Sequence, residues 1–348
     1  MITDLKKLLE EDYVRRLLMQ YLPKYYPEFK EILNIELRPY KKHLGRTSAV
    51  YVVGYLCTYQ KQTGSQAYLN IFVSAHTDGS RQAAYLNNQF LYQHGFASGH
   101  YLVPKPLFYL PDMQAFFYEG VRGRILKKLI SDEPQRDLHP VLTMAANWLT
   151  RLHNLEASAI NLKVKDFFIK DMTPKTGDFL ADFSQYKPSE GEIIKTALRD
   201  ILGIEASLAA TFNKTLVHGD FHPENIIVSG LEPNHLKVID FTDLSWGDPC
   251  LDIGIFLQQF DFMLNNLLPR NKINDYKKFF VEAYFSENFE DIDQVFINRI
   301  NLYQAWTALR TSVFLFYARS ARLNELLIEI EQYLQAIRTN KLIINLYE

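Results

Sequence analysis

Two short runs carry the residues able to do chemistry. In LVHGDFHPENIIVSG, Leu216 to Gly230, Asp220 follows His218 by two positions and precedes Asn225 by five. In LKVIDF, Leu236 to Phe241, an apolar stretch ends in Asp240. Carboxylate and carboxamide oxygens are hard donors suited to Mg²⁺, and a carboxylate can also take the proton of a hydroxyl. Phosphoryl transfer needs that combination, because phosphate charge must be neutralised while the acceptor is aimed in line. A two-stranded hairpin, Asn225 to Val228 and Leu236 to Asp240 around a turn at Ser229 to His235, would carry both runs. Taken singly, each residue has a plainer reading: His218 as a packing histidine, Asp220 and Asn225 as turn formers, Asp240 as a strand-end carboxylate. The joint pattern is what points to an active site.

The spacing resembles the H-R-D-x-x-x-x-N catalytic loop of protein kinases, and Asp240-Phe241 resembles the opening of their D-F-G. The intervening letters depart from that pattern. The loop reads His-Gly-Asp-Phe-His-Pro-Glu-Asn, and Asp240 is followed by FTDLSWGDPCLDIG. This is similar to the aminoglycoside phosphotransferase and choline kinase-like family, whose members carry H-G-D-x-H-x-x-N, then I-D-[FW], then G-D-P-x-x-D. The last element is here Gly247, Asp248, Pro249 and Asp252. The resemblance is strongest over residues 216–258. It extends through Tyr118 to Gly123, which looks like the family's hinge, and Leu149 to His153, which looks like its L-x-x-L-H helix.

The resemblance implies transfer of the γ-phosphoryl group of ATP to a hydroxyl on a small molecule, with ATP and Mg²⁺ as cofactors. It makes Asp220 the base and Asn225 and Asp240 the metal ligands. His218 and His222 would support the loop, although the favoured reading of His222 is a packing or hydrogen-bonded loop histidine. Ser48, Glu119 and Val121 are the candidate nucleotide contacts, the last two through main-chain groups. Asp248 and Asp252 read as turn and N-cap residues. There is no A-P-E motif, so a protein substrate is not expected.

The elements that must position these residues follow from periodicity. Apolar residues at helical spacing from Leu5 to Leu22 predict an N-terminal helix or helix pair ending at Pro23. Strand-like segments follow at Ile32 to Arg38, Ala49 to Gln60 and Gln66 to Ser74, then a helix at Arg81 to Gly95. Two more strands fit Leu107 to Leu110 and Ala115 to Glu119. Beyond Gly123 helices dominate: Ile125 to Ile130, Pro140 to Leu155, Gly177 to Ser184, Glu190 to Thr211, Leu251 to Leu268, Asp275 to Phe285, Asp291 to Tyr317 and Ser320 to Tyr347. The expected class is α+β, a two-lobed protein kinase-like fold. Residues 1–120 form a β-rich, nucleotide-binding lobe; residues 121–348 form a helical lobe holding the hairpin 216–241 and the substrate helices.

The small lobe departs from the kinase pattern. A kinase-like third strand carries a lysine for the α- and β-phosphates, paired with a helix glutamate. Here QAYLNIFVSAH has no lysine, and the helix QAAYLNNQFLYQHG has no glutamate. Three readings stand. Another cation reaches the phosphates, Arg81 or Lys105 being nearest by sequence; or Mg²⁺ and backbone amides suffice; or the protein is a non-catalytic or weakly active kinase-like binder of nucleotide or ligand. The glycine-rich loop is equally thin, with one glycine in His43 to Val50.

Composition sets outer limits. A net charge of -2 and pI near 6.5 argue against a nucleic-acid partner held by a basic patch. No apolar run approaches a membrane span, and the charged N-terminus does not read as a leader. Cys57 and Cys250 read as buried thiols of a reducing cytoplasm. Acids and bases are nearly balanced in the substrate half, which does not suit a polycationic aminoglycoside; an aromatic cage for a quaternary ammonium and a stacked sugar both remain open. Nothing sets the oligomeric state.

Overall fold

In a computed structural model, residues 5–44, 49–156, 163–171, 176–229 and 235–339 are described. The chain divides into two compact units: Met1–Arg124 with Ile227–Asp243, and Ile125–Ile226 with Leu244–Glu348.

The first unit begins with α1 (Glu11–Tyr21), whose Val14 and Leu18 are buried. Three long strands follow, β1 (Phe29–Leu44), β2 (Ala49–Lys61) and β3 (Gln66–His76). Burial alternates along them as a pleated strand requires. Tyr51, Val53, Tyr55, Cys57 and Tyr59 of β2 join Leu69, Ile71, Val73 and Ala75 of β3 in one core under α1. Even-numbered residues such as Ser74 therefore face the other way. After α2 (Ser80–Leu91) come β4 (Tyr101–Leu102), β5 (Pro106–Leu110), β6 (Ala115–Glu119) and β7 (Arg124–Ile125). The main sheet has the antiparallel order β1-β2-β3-β6-β5. Helix α2 stops four residues before the expected Gly95, which adopts φ +99°, a left-handed conformation open to glycine without a Cβ penalty.

The second unit is mainly helical: α3 (Leu126–Asp132), α4 (His139–His153), α5 (Thr176–Tyr186), α6 (Pro188–Leu208), α7 (Cys250–Leu264), α8 (Arg270–Phe285), α9 (Gln294–Tyr317) and α10 (Leu323–Thr339). Helix α9 packs against α7, α6 and α10. It is buried nearly all round, so no amphipathic stripe marks it. Strands β8 (Thr215–Val217) and β11 (Ser245–Gly247) pair antiparallel; at three residues each they are too short to show a period, and sequence reading did not find them. The predicted end of the last helix at Tyr347 lies outside the described residues.

The hairpin strands are β9 (Ile226–Ser229) and β10 (His235–Val238). Most of the hairpin, Ile227–Asp243, groups with the first unit. Hydrogen bonding explains this. β10 pairs in parallel with β4, and Asn87 of α2 donates to the Phe241 carbonyl at 2.8 Å. Among the described residues, no helix is long and apolar enough to cross a membrane.

Candidate active site

In the second unit the loop after β8 is built around one buried carboxylate. Asp252, in the first turn of α7, has 0% exposure and accepts the backbone N–H of His218 at 2.7 Å and of Gly219 at 2.8 Å. His153 Nε2 lies 3.0 Å from the same carboxylate, and its Nδ1 lies 2.7 Å from the Tyr284 hydroxyl. The N-cap expectation for Asp252 is thereby corrected: it clamps the backbone of the loop after β8. Asp248 does meet the first turn of α7, accepting from the Cys250 N–H at 2.9 Å, while Arg299 Nε donates to it at 2.7 Å. Removing a buried carboxylate leaves its donors unpaired. Asp252→Ala is expected to cost on the order of 3 kcal/mol or more, read as a lowered urea midpoint. A loss below about 1 kcal/mol would contradict the clamp.

The clamp sets the loop that follows. Gly219 takes φ +79°, which a side chain would resist. His218 is fully buried, and its Nδ1 accepts the Asp220 N–H at 3.2 Å. Asn225 Nδ2 donates to the Asp220 carbonyl at 2.9 Å, closing the loop and leaving Oδ1 as its atom suited to a cation. His222 is hydrogen-bonded within the loop: its Nε2 lies 3.2 Å from Asp220 Oδ2, and its Nδ1 accepts the Glu224 N–H at 3.2 Å.

Asp220 has a partner outside the loop motif. Arg310, on α9, donates to Asp220 Oδ1 at 2.6 Å while its guanidinium lies over the Trp306 ring at 5.0 Å. Burial pushes the Asp220 carboxyl up, but Arg310 and His222 outweigh it and hold the group well below the usual carboxylate range. Asp220 is therefore ionised at neutral pH. It suits orienting a hydroxyl and accepting its proton late better than early abstraction.

Asp240 stands in the first unit. Its φ of +65° is a left-handed conformation, sparsely populated by residues other than glycine, and such strain gathers at functional sites. Arg81 of α2 donates through Nη1 to Asp240 Oδ1 at 3.3 Å and through Nη2 to the Thr242 hydroxyl. Of the two cations nearest in sequence to the missing lysine, the structure brings Arg81 here. Lys105 instead donates to the Tyr25 carbonyl at 3.3 Å and lies 4.2 Å over the Tyr26 ring. The Glu119 carboxylate accepts from the Tyr26 hydroxyl at 2.5 Å. Val121 follows in the segment after β6, and Ser48 lies outside the described residues.

These geometries agree with comparisons to known proteins. The family model described as APH, phosphotransferase enzyme family, matches residues 55–287, two thirds of the chain. The chain belongs to the phosphotransferase enzyme family. A relative in Gallus gallus, acyl-CoA dehydrogenase family member 11, is 24% identical over 241 residues, 66% of this chain. The match spans only 30% of that relative's length. Among solved structures, a choline/ethanolamine kinase family protein from Mesorhizobium loti is 14% identical with a TM-score of 0.56, covering 94% of this chain and 99% of that one. Amicoumacin kinase hAmiN, in complex with AMP-PNP, Ca²⁺ and Ami, is 16% identical with a TM-score of 0.53, covering 100% and 98%. At these identities the likeness shows the fold, and it is the two-lobed kinase-like fold expected from residues 216–258.

Arg310 sits in a stripe with Trp306, Val313 and Tyr317, where helical spacing cannot separate core from cleft. Asp252 carries an N-terminal helix signal that fits a cap as well as a clamp. Only long-range contacts distinguish the alternatives.

Proposed function

We propose that this phosphotransferase moves the γ-phosphoryl group of ATP, with Mg²⁺, to a hydroxyl of a small molecule. The observation that carries the proposal is Asp220, held ionised in a clamped loop by Arg310 and His222 with Asn225 closing the same loop. Asp220 would orient the acceptor hydroxyl and receive its proton as the bond to phosphorus forms. Asn225 Oδ1 and the Asp240 carboxylate, its side chain 42% exposed, are the oxygens offered to the metal. Among the described residues, no three His, Cys, Asp or Glu side chains gather as a metal site. That donor set fits Mg²⁺, which is held by one or two carboxylates plus substrate phosphates rather than by an all-protein cage. When bound, the ion offsets phosphate charge. The AMP-PNP and Ca²⁺ in the amicoumacin kinase complex support nucleotide and divalent-metal use.

For the nucleotide, Ser48 and the main chain at Glu119 and Val121 remain the proposed contacts. Glu119 would act through its backbone, since Tyr26 occupies its carboxylate. The buried free thiols Cys57 and Cys250 fit a reducing cytoplasm; burial pushes Cys57 up to about 12, keeping it an inert thiol. Neither a nucleic acid nor a membrane is a proposed partner.

Arg310 bears on the acceptor. Choline and ethanolamine carry a positive charge near their hydroxyl. Here the Asp220 charge is already offset by a guanidinium at 2.6 Å, so a cationic acceptor gains little from it. Neutral or anionic hydroxyl compounds fit better. Transfer of labelled γ-phosphate to a panel of sugars, alcohols, hydroxy acids and amino alcohols tests the reading; Mg²⁺-dependent labelling of neutral or anionic members is expected. One observation favours a second reading: β3 has no lysine and α2 no glutamate. If Mg-ATP binds while no acceptor is labelled, the protein is a kinase-like binder instead.

A further inference from the structure

A kinase-like sheet normally delivers a cation to the nucleotide phosphates from its third strand. In this chain the β3 residue facing the corresponding space is Ser74. It is 7% exposed and paired across the sheet with Val52 on β2 and Phe116 on β6. Beyond it lies a cavity of about 140 Å³, lined by Val52, Ser74, Arg81, Phe116, Tyr118 and Asp240 among others. Its lining is mostly apolar, with Ser74, Arg81, Asn88, Tyr118 and Asp240 contributing the polar groups. Arg81 enters from the first turn of α2, so a charge absent from the strand arrives from the helix that follows it.

The surroundings of Arg81 suit an anion. Its side chain is 7% exposed, and a guanidinium out of water needs counter-charge. Nη2 donates tightly to the Thr242 hydroxyl, but the contacts to Asp240 at 3.3 Å, to Ser74 at 3.5 Å and from Nε to the Ser80 hydroxyl at 3.3 Å are long. Well-formed guanidinium–carboxylate bonds run at about 2.7–2.9 Å, so these are weak and exchangeable. Burial, then Arg81, hold the neighbouring His76 imidazole down at about 4, leaving it neutral at pH 7. A guanidinium offers a planar fork of N–H donors matched to phosphate oxygens.

We infer that Arg81, carried on α2, is the nucleotide-phosphate cation of this phosphotransferase, standing in for the lysine that β3 lacks. The inference rests on the nucleotide-binding reading above and makes a narrower claim. It also explains the missing helix glutamate. A β3 lysine needs an acidic partner on the helix to orient it, whereas an arginine on the helix itself is positioned by its own backbone, Ser80 and Thr242.

The test is equilibrium binding of ATP, ADP and adenosine to the parent, Arg81→Gln and Arg81→Lys, in excess chelator and again with Mg²⁺, with melting curves as a check on folding. Loss of a charge-assisted phosphate contact is worth about 10- to 100-fold. Arg81→Gln should therefore weaken ATP and ADP in chelator by that factor and leave adenosine within about twofold. Arg81→Lys, which keeps the charge, should recover part of the loss. Unchanged or tighter ATP binding by Arg81→Gln overturns the assignment, the tighter result making Arg81 a competitor for Asp240. Equal loss of adenosine also overturns it, making Arg81 a wall of the cavity. If the parent binds no nucleotide, the broader reading falls and takes this one with it.

Discussion

Asp220→Asn is expected to lower phosphotransfer by about 10² to 10⁴, the range of a positioned general base. The amide keeps the shape of the carboxylate but cannot take a proton, and it loses the charge that holds Arg310 at 2.6 Å. Because Arg310 and His222 hold the Asp220 carboxyl low, the contribution proposed for it is orienting the hydroxyl and accepting its proton late in the transfer. That suits phosphoryl transfer, where bond formation to phosphorus lags and positioning supplies most of the catalysis. ATP affinity should stay within about twofold of the parent, since the residue is assigned to the acceptor and not to the metal. Single-turnover transfer to an acceptor from the panel is the measurement. A variant with near-parental turnover would falsify the base assignment.

The second large effect is expected at Asp240. ATP should bind more tightly with Mg²⁺ than without, and Asp240→Ala should abolish most of that gain. Loss of even a supporting partner of a metal typically costs 10- to 100-fold in affinity, so loss of a ligand should cost at least about that. Affinity for ATP in chelator should hold or rise, because Arg81 is released from its carboxylate. The two arms of one titration therefore move apart. The φ of +65° calls for a check on folding: alanine tolerates a left-handed conformation less well than aspartate, so melting curves accompany the titration. If Asp240→Ala binds Mg-ATP as the parent does, the residue is not a ligand.

Much of the site could be read along the chain because its parts are local. Asp220 and Asn225 lie five residues apart, and a turn with its strand determines how they stand to one another. Asp240 was visible as the end of an apolar strand. The long strands of the first unit followed from alternation, although β1 runs from Phe29 to Leu44 and not merely Ile32 to Arg38, since at its ends the ladder to β2 continues where the alternation fades. Helix boundaries moved by a few residues for a similar reason. Capping and packing, not periodicity, decide where a helix stops.

The sequence by itself determined the family and the kinase-like class and singled out the three residues to which the chemistry is proposed to belong, since these rest on spacings within a single loop and strand. The tertiary structure decided which distant groups act on them. Arg310 reaches Asp220 across 90 positions, Arg81 reaches Asp240 across 159, and Asp252 clamps the loop backbone from 34 residues on. Short-range backbone geometry is written into neighbouring residue types. A long-range partner is selected by how helices and sheets pack, and packing can bring a charge from any element that reaches the space. That is why a lysine missing from β3 was legible, while the arginine beside Asp240 was only one candidate of two until α2 was in place.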